Sequence, residues 1–189
     1  VAYVPSGAAN MIAIYKQGQI QTLTLSNTGP IISFDMAVDQ FNQLQFVHSS
    51  NQNGCSIQYS LMGNNGWYTS PIVTGANVCD STPKFLIDNT NVPHVFYHND
   101  QKTVQHAFMP VWNWQIEAVD TDGAANAGMT FSPAVDSQGY LYISYYNKSQ
   151  ELLKFGRWNK SQWSNEYLGP TFNAGKNSEM VLDVQGFAH

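Results

Sequence analysis

The stretch Ser132-Pro133-Ala134-Val135-Asp136-Ser137-Gln138-Gly139-Tyr140-Leu141-Tyr142-Ile143-Ser144-Tyr145-Tyr146 decides how this chain is read. A short strand ends on Asp136. Three residues later stands Gly139, suited to the left-handed conformation that closes a three-residue hairpin loop. Residues 140–146 then make a second strand, dense in tyrosine. A polar loop over 147–150 leads to a third strand at 151–158. A turn at 159–161 leads to a fourth at 163–168. No segment sustains a 3.6-residue period long enough for a helix.

Working outward, the same pattern returns on Asp39, Asp88, Asp136 and Asp183, with Asn42, Asn91, Gly139 or Gly186 three residues on. Successive anchors are 49, 48 and 47 residues apart. Six residues follow Asp183 and Asp39 is the thirty-ninth, so the interval counted through the ends is 45 and four intervals account for all 189 residues. Four short strands per repeat of this length is the signature of β-propeller blades. The expectation is an all-β chain, one domain over 1–189, with four four-stranded blades. The repeats are approximately 33–80, 81–130, 131–177, and 178–189 together with 1–32. The last blade is closed by both termini, since Phe187-Ala188-His189 and Val1-Ala2-Tyr3 read as one divided strand. An unclosed array would leave sheet edges exposed. Two other arrangements meet the same arithmetic: half of an eight-bladed ring built as a homodimer, or a fragment of a larger propeller.

Equivalent positions of the repeats carry recurring residues. Trp67, Trp114 and Trp163 open the fourth strand in three copies and are expected to pack between neighbouring sheets. Six residues after each anchor stand Gln45, His94, Tyr142 and His189. Nine residues after stand His48, Tyr97, Tyr145 and, through the ends, Tyr3. The anchor aspartates read as turn formers that bond backbone N–H groups beyond them, and as poor catalytic acids.

Composition narrows the function. Charged residues are 11 %, aromatics 13 %, and the net charge of −5 comes from few ionisable groups. Arg157 is the only arginine and no Lys/Arg cluster exists, so the basic footprint of a nucleic-acid binder is missing. No apolar run approaches the roughly 20 residues of a membrane helix, and Val1–Pro5 lacks the basic n-region of a signal peptide. Cys55 and Cys79 are the only cysteines and read either as one bridge or as two buried thiols. Low charge, many Asn, Gln, Ser and Thr, and that cysteine pair lean towards a secreted or cell-surface protein.

The segments Ser132–Gly139 and Val92-Pro93-His94-Val95-Phe96-Tyr97 resemble the repeats of sialidase-like (Asp-box-like) propellers. That group includes lectins, hydrolases, lyases and scaffolds, so the resemblance implies blade architecture more than activity. It also implies that ligands sit on the face built from the strand 2–3 loops (5–10, 49–53, 98–102, 146–150) and the blade-to-blade connections (26–32, 74–82, 120–131, 169–178). The chain departs from the group in two ways. No copy has the full Asp-box, Ser-x-Asp-x-Gly-x-x-Trp, and one arginine does not supply the three that a sialidase site places around a carboxylate. The arginine-dependent fucose lectins of fungi fit poorly for the same reason.

The expected function is a non-catalytic, lectin-like module that binds glycans at shallow sites repeated around the disc. Its alternatives are a small polysaccharide-active hydrolase or lyase, and a scaffold without a ligand. Stacking candidates are the aromatics outside the recurrent positions: Trp112, Tyr146, Trp158 and Tyr68. On this reading replacing Trp112 or Trp158 costs less stability than replacing Trp67, Trp114 or Trp163. Hydrogen-bonding candidates are His98, Asn99, Asp100 and Asn147. No catalytic residue and no cofactor is assigned, because the carboxylates form no recurrent pair of the kind glycoside hydrolysis needs. Asp120 and Asp122, in Asp120-Thr121-Asp122-Gly123, resemble the opening of a calcium loop but lack its remaining ligands, and read as an acidic turn.

Overall fold

A computed structural model describes residues 2–5, 10–16, 18–25, 29–51, 54–63, 66–75, 78, 81–120, 130–169 and 176–189. Among these residues fifteen strands form four antiparallel sheets that follow one another along the chain. The first sheet holds β1 (Ala2–Tyr3), β2 (Met11–Lys16) and β3 (Gln19–Thr24). The second holds β4 (Ile31–Val38), β5 (Leu44–Asn51), β6 (Cys55–Gly63) and β7 (Gly66–Thr74). The third holds β8 (Lys84–Ile87), β9 (Pro93–His98), β10 (Val104–Phe108) and β11 (Gln115–Ala118). The fourth holds β12 (Phe131–Val135), β13 (Leu141–Asn147), β14 (Leu152–Trp158) and β15 (Trp163–Leu168). None of the described residues is α-helical.

The anchor turn is built identically four times. Each anchor carboxylate uses Oδ1 to accept the N–H groups two and four residues on: Phe41 and Gln43 for Asp39, Thr90 and Val92 for Asp88, Gln138 and Tyr140 for Asp136, Gln185 and Phe187 for Asp183. The residue three on donates its own N–H to the anchor carbonyl at 2.9–3.0 Å, and it sits at positive φ: 61° at Asn42, 69° at Asn91, 82° at Gly139 and 86° at Gly186. Asn tolerates this conformation and Gly adopts it freely. At Gly139 space also matters, because an added Cβ would lie 2.7 Å from Asn89 Oδ1. The anchors are therefore turn formers, as their spacing implies.

The core lies between sheets rather than in one central mass. Ile12, Leu23, Leu25, Ile31 and Phe46 fill the joint between the first and second sheets. Val47, Ile57, Tyr59, Phe85, Val95 and Tyr97 fill the next, and Phe96, Val104, Leu141, Ile143 and Trp158 the one after. The three recurrent tryptophans each reach the preceding sheet or its joint. Trp67 packs on Phe46 at 5.2 Å, Trp114 meets Tyr59 edge-on at 5.3 Å, and Trp163 meets Phe96 edge-on at 6.0 Å. Inner strands are cross-linked at a repeat's distance. Ser33 Oγ donates to the Ser81 carbonyl at 3.2 Å, and Ser132 Oγ accepts the Met180 N–H at 3.0 Å. β4, β8, β12 and residues 177–181 contribute to a cavity of about 580 Å³ lined by Asp35, Lys84, Ser132 and Glu179 among others.

The divided repeat is the exception. Its inner-strand portion is the C-terminal segment, which folds back through a Leu182–Ala188 bridge around the Asp183 turn. Its remaining strands are β1–β3, with β1 at the sheet edge. Among the described residues no strand pairing joins the two portions, and Val1 lies outside those residues. Cys55 is disulfide-bonded, and Cys79 also lies outside the described residues.

Candidate functional site

Two exposed aromatic side chains, Tyr68 and Trp112, meet at the joint between the second and third sheets. Tyr59 and Tyr68 come from β6 and β7, and Ser70 lies two residues beyond Tyr68 on β7. From the third sheet, the β10–β11 connection brings Trp112, Asn113 and Trp114. Together they border a groove of about 360 Å³. Trp112 is 87 % exposed and Tyr68 61 % exposed. Trp112 sits at φ 47°, a conformation that a bulky L-residue adopts only when its surroundings impose it, and one often found at functional sites. The loop therefore holds an indole out of the surface under backbone strain.

The groove floor is tied to the second sheet's anchor. Tyr59 donates its hydroxyl to Gln45 Oε1 at 2.5 Å, and Gln45 Nε2 donates to Asp39 Oδ2 at 3.0 Å. Burial and then the Asp39 charge push the Tyr59 hydroxyl up to about 12, so it stays protonated. Among the described residues no carboxylate, lysine, arginine or histidine lines this groove. It offers aromatic faces, hydroxyls and one side-chain amide, which is the chemistry of a neutral, hydroxyl-bearing ligand stacked on a ring. One donor stands out. Trp114 Nε1 is buried without a hydrogen-bond partner.

Several residues singled out from sequence lie elsewhere. Tyr146 and Trp158 are 1 % and 5 % exposed, so neither offers a face for stacking. Trp158 is core: its ring lies 5.1 Å from His106 and 5.3 Å from Phe108. Asn147 is buried with its Oδ1 accepting the Gln150 N–H, so it too is withdrawn from any ligand. His98 is buried at the end of β9, edge-on to Phe131 at 5.0 Å, and burial with the Lys102 charge lowers its pKa to about 4. Asn99 shapes the following turn by accepting the N–H groups of Gln101 and Thr103, while Asp100 is exposed at its tip. Thus Trp112 and Tyr68 share a groove, and the other six do not join it. The groove also involves the connection between third and fourth strands, not the strand 2–3 face that the family resemblance favours.

Asp120 is not free for a cation. Its Oδ2 accepts the Tyr145 hydroxyl at 2.7 Å and forms a buried ion pair with Lys154. Asp122 lies outside the described residues. Among the described residues no group of three or more His, Cys, Asp or Glu side chains is placed to share a metal ion. Sequence reasoning missed this Lys154–Asp120–Tyr145 cluster because Asp120 follows β11 of the third sheet, whereas Tyr145 and Lys154 are paired across β13 and β14 of the fourth. Tyr145 carried a signal through its recurrent position and Asp120 through its acidic turn, while Lys154 carried none.

No protein-family model matches the chain, and no curated protein does. Solved structures do. Aleuria aurantia lectin, described as a six-bladed β-propeller with a novel fucose recognition mode, matches with a TM-score of 0.61 at 11 % identity, over 89 % of this chain and 56 % of that one. A protein of unknown function from Dyadobacter fermentans gives 0.60 at 9 %, over 89 % and 55 %. An arginine-to-alanine mutant of AofleA from Arthrobotrys oligospora gives 0.59 at 14 %, over 84 % and 49 %. The chain thus spans about half the length of these structures. At such identities the likeness shows the fold, which is a β-propeller.

Proposed function

We propose that this chain is a carbohydrate-binding module whose site is the groove between Tyr68 and Trp112. One observation carries this: an almost fully exposed indole, held at positive φ beside a second exposed ring over a groove to which the described residues bring no charged side chain. Sugars present C–H faces to aromatic rings and hydroxyls to Ser, Asn and Tyr. The lectins among the structural neighbours support the same reading. The site is not repeated identically in every blade, because Trp158 fills the next joint. A disulfide-bonded Cys55 suits an oxidising compartment, so we place the protein outside the cell or on its surface, with glycans as partners.

The test is retention on densely immobilised neutral glycans, compared with the same sugar free in solution. Wild type is retained, and more strongly than the free monosaccharide predicts, because a dense surface offers immediate rebinding. Trp112→Ala and Tyr68→Ala lose retention while melting at the wild-type temperature. Retention unchanged in both variants, or no retention on any neutral glycan, overturns the assignment.

A further inference from the structure

In three repeats the second oxygen of the anchor carboxylate is bonded by the residue six positions on. Gln45 Nε2 reaches Asp39 Oδ2 at 3.0 Å, the Tyr142 hydroxyl reaches Asp136 Oδ2 at 3.1 Å, and His189 Nε2 reaches Asp183 Oδ2 at 2.9 Å. The third sheet differs. His94 Nε2 stands 3.5 Å from Asp88 Oδ2, which the Thr90 hydroxyl reaches instead at 3.0 Å, and this buried nitrogen has no hydrogen-bond partner.

The polarity of the neighbouring bonds explains the open link. An indole N–H only donates, so Glu117 Oε1 accepts from Trp163 Nε1 at 2.9 Å. That oxygen is then also the acceptor for His106 Nδ1 at 3.0 Å. Burial, outweighing the Glu117 bond, lowers the His106 pKa to about 4, so the neutral ring has its one proton on Nδ1 and its Nε2 is bare. The 2.9 Å contact between His94 Nδ1 and His106 Nε2 is therefore donated by His94. A neutral His94 has no second proton, and its Nε2 and the Asp88 carboxylate face each other as two acceptors. The chain Asp88–His94–His106–Glu117 has three links and two ring protons.

We propose that His94 Nε2 is a buried proton-binding site, and that a proton taken up there closes the anchor link of this blade. The titratable groups facing it are Asp88 from the anchor turn, His106 from β10 and, beyond that ring, Glu117 from β11. From the fourth sheet come Trp158 and Trp163, which bring rings and no charge, and β8 contributes Leu86. The closed link is a charge-assisted bond. It joins the turn at 88–92 to the stacked rings of His94, His106 and Phe108, against which Trp158 packs. Acidification thus fastens the joint between the third and fourth sheets.

The experiment is long-range ¹⁵N–¹H spectroscopy of the imidazoles, with ¹³C detection of Asp88 Cγ, from about pH 8 to about pH 4. His94 Nε2 should change from a bare to a protonated nitrogen, with Asp88 Cγ inflecting at the same midpoint. His94 Nδ1 and His106 Nδ1 should be protonated from the start. Asp88→Asn keeps an Oδ1 acceptor for the turn and should lower the His94 midpoint by about 1–3 pH units, the effect of removing an adjacent opposite charge. His94→Gln copies Gln45 and should abolish the Asp88 inflection. A His94 Nε2 that stays bare throughout, a midpoint unmoved in Asp88→Asn, or an Asp88 inflection surviving in His94→Gln overturns the proposal.

Discussion

The joint between the second and third sheets and the joint between the third and fourth have the same plan and opposite outcomes. In each, a tryptophan opening the fourth strand leans back on the preceding sheet: Trp114 in one, Trp163 in the other. Five residues before each stands the residue that decides the space, Met109 in one and Trp158 in the other. Ser70, three residues after Trp67 and lining the first joint, corresponds to Glu117, three residues after Trp114, at the second. Where the residues are Met109 and Ser70, a groove of about 360 Å³ stays open and Trp114 Nε1 has no acceptor. Where they are Trp158 and Glu117, rings fill the joint and Trp163 Nε1 is bonded. The same antiparallel four-stranded plan therefore yields either a surface site or a core, according to side-chain volume and one acceptor.

The largest expected effect separates the two exposure classes of tryptophan. Trp158→Ala removes a buried ring and should cost about 3–5 kcal/mol, measured by urea unfolding. Trp112→Ala should change stability by no more than about 0.5 kcal/mol. Similar costs at both positions would erase the distinction between filled and open joints.

Where protonation at His94 fastens one joint, acid should weaken the molecule at His48 of the second sheet. His48 is fully buried with both ring nitrogens unpartnered, and burial lowers its pKa from 6.5 to about 4. It is neutral when folded, while the unfolded chain takes up a proton below its ordinary value. Stability is thus unaffected above pH 6.5 and falls as pH drops from 6.5 towards about 4. The contribution is on the order of 3 kcal/mol, with His98 and His106 acting in the same direction. His48→Leu breaks no hydrogen bond and should flatten its share of that slope. A variant with the wild-type pH dependence would exclude His48 as a source of acid sensitivity.

The smallest effect is the most discriminating. Trp163→Phe deletes a bonded N–H and leaves Glu117 short of a donor, a cost of about 1–2 kcal/mol. Trp114→Phe deletes a buried N–H that has no partner and should be neutral or slightly stabilising. Equal losses would mean that the two indole nitrogens are satisfied alike, and that the joints differ in volume alone.

The repeat phase, the anchor turns and the placement of Trp67, Trp114 and Trp163 between sheets were all legible in the chain, because each depends on local spacing. An Asp with a left-handed residue three positions on makes its turn from within six residues, whatever lies around it. The site was legible only in part. Trp112 and Tyr68 drew attention because they break the repeat, yet Trp158 breaks it too and is core. Tyr146 and Asn147 likewise look like loop-face residues and are buried at the end of β13.

By itself, then, the sequence determined the strand count per repeat, the order of the sheets and the residues that shape the turns, since these follow from periodicity and backbone chemistry along one segment. Tertiary structure alone decided which joint is open, which aromatics reach solvent, and which buried groups meet. Trp158 is core because sheet three presents His106 and Phe108 to it. Lys154 finds Asp120 only because the fourth sheet packs on the exit of the third. Burial and pairing across a joint are properties of two segments at once, and no spacing within either one encodes them.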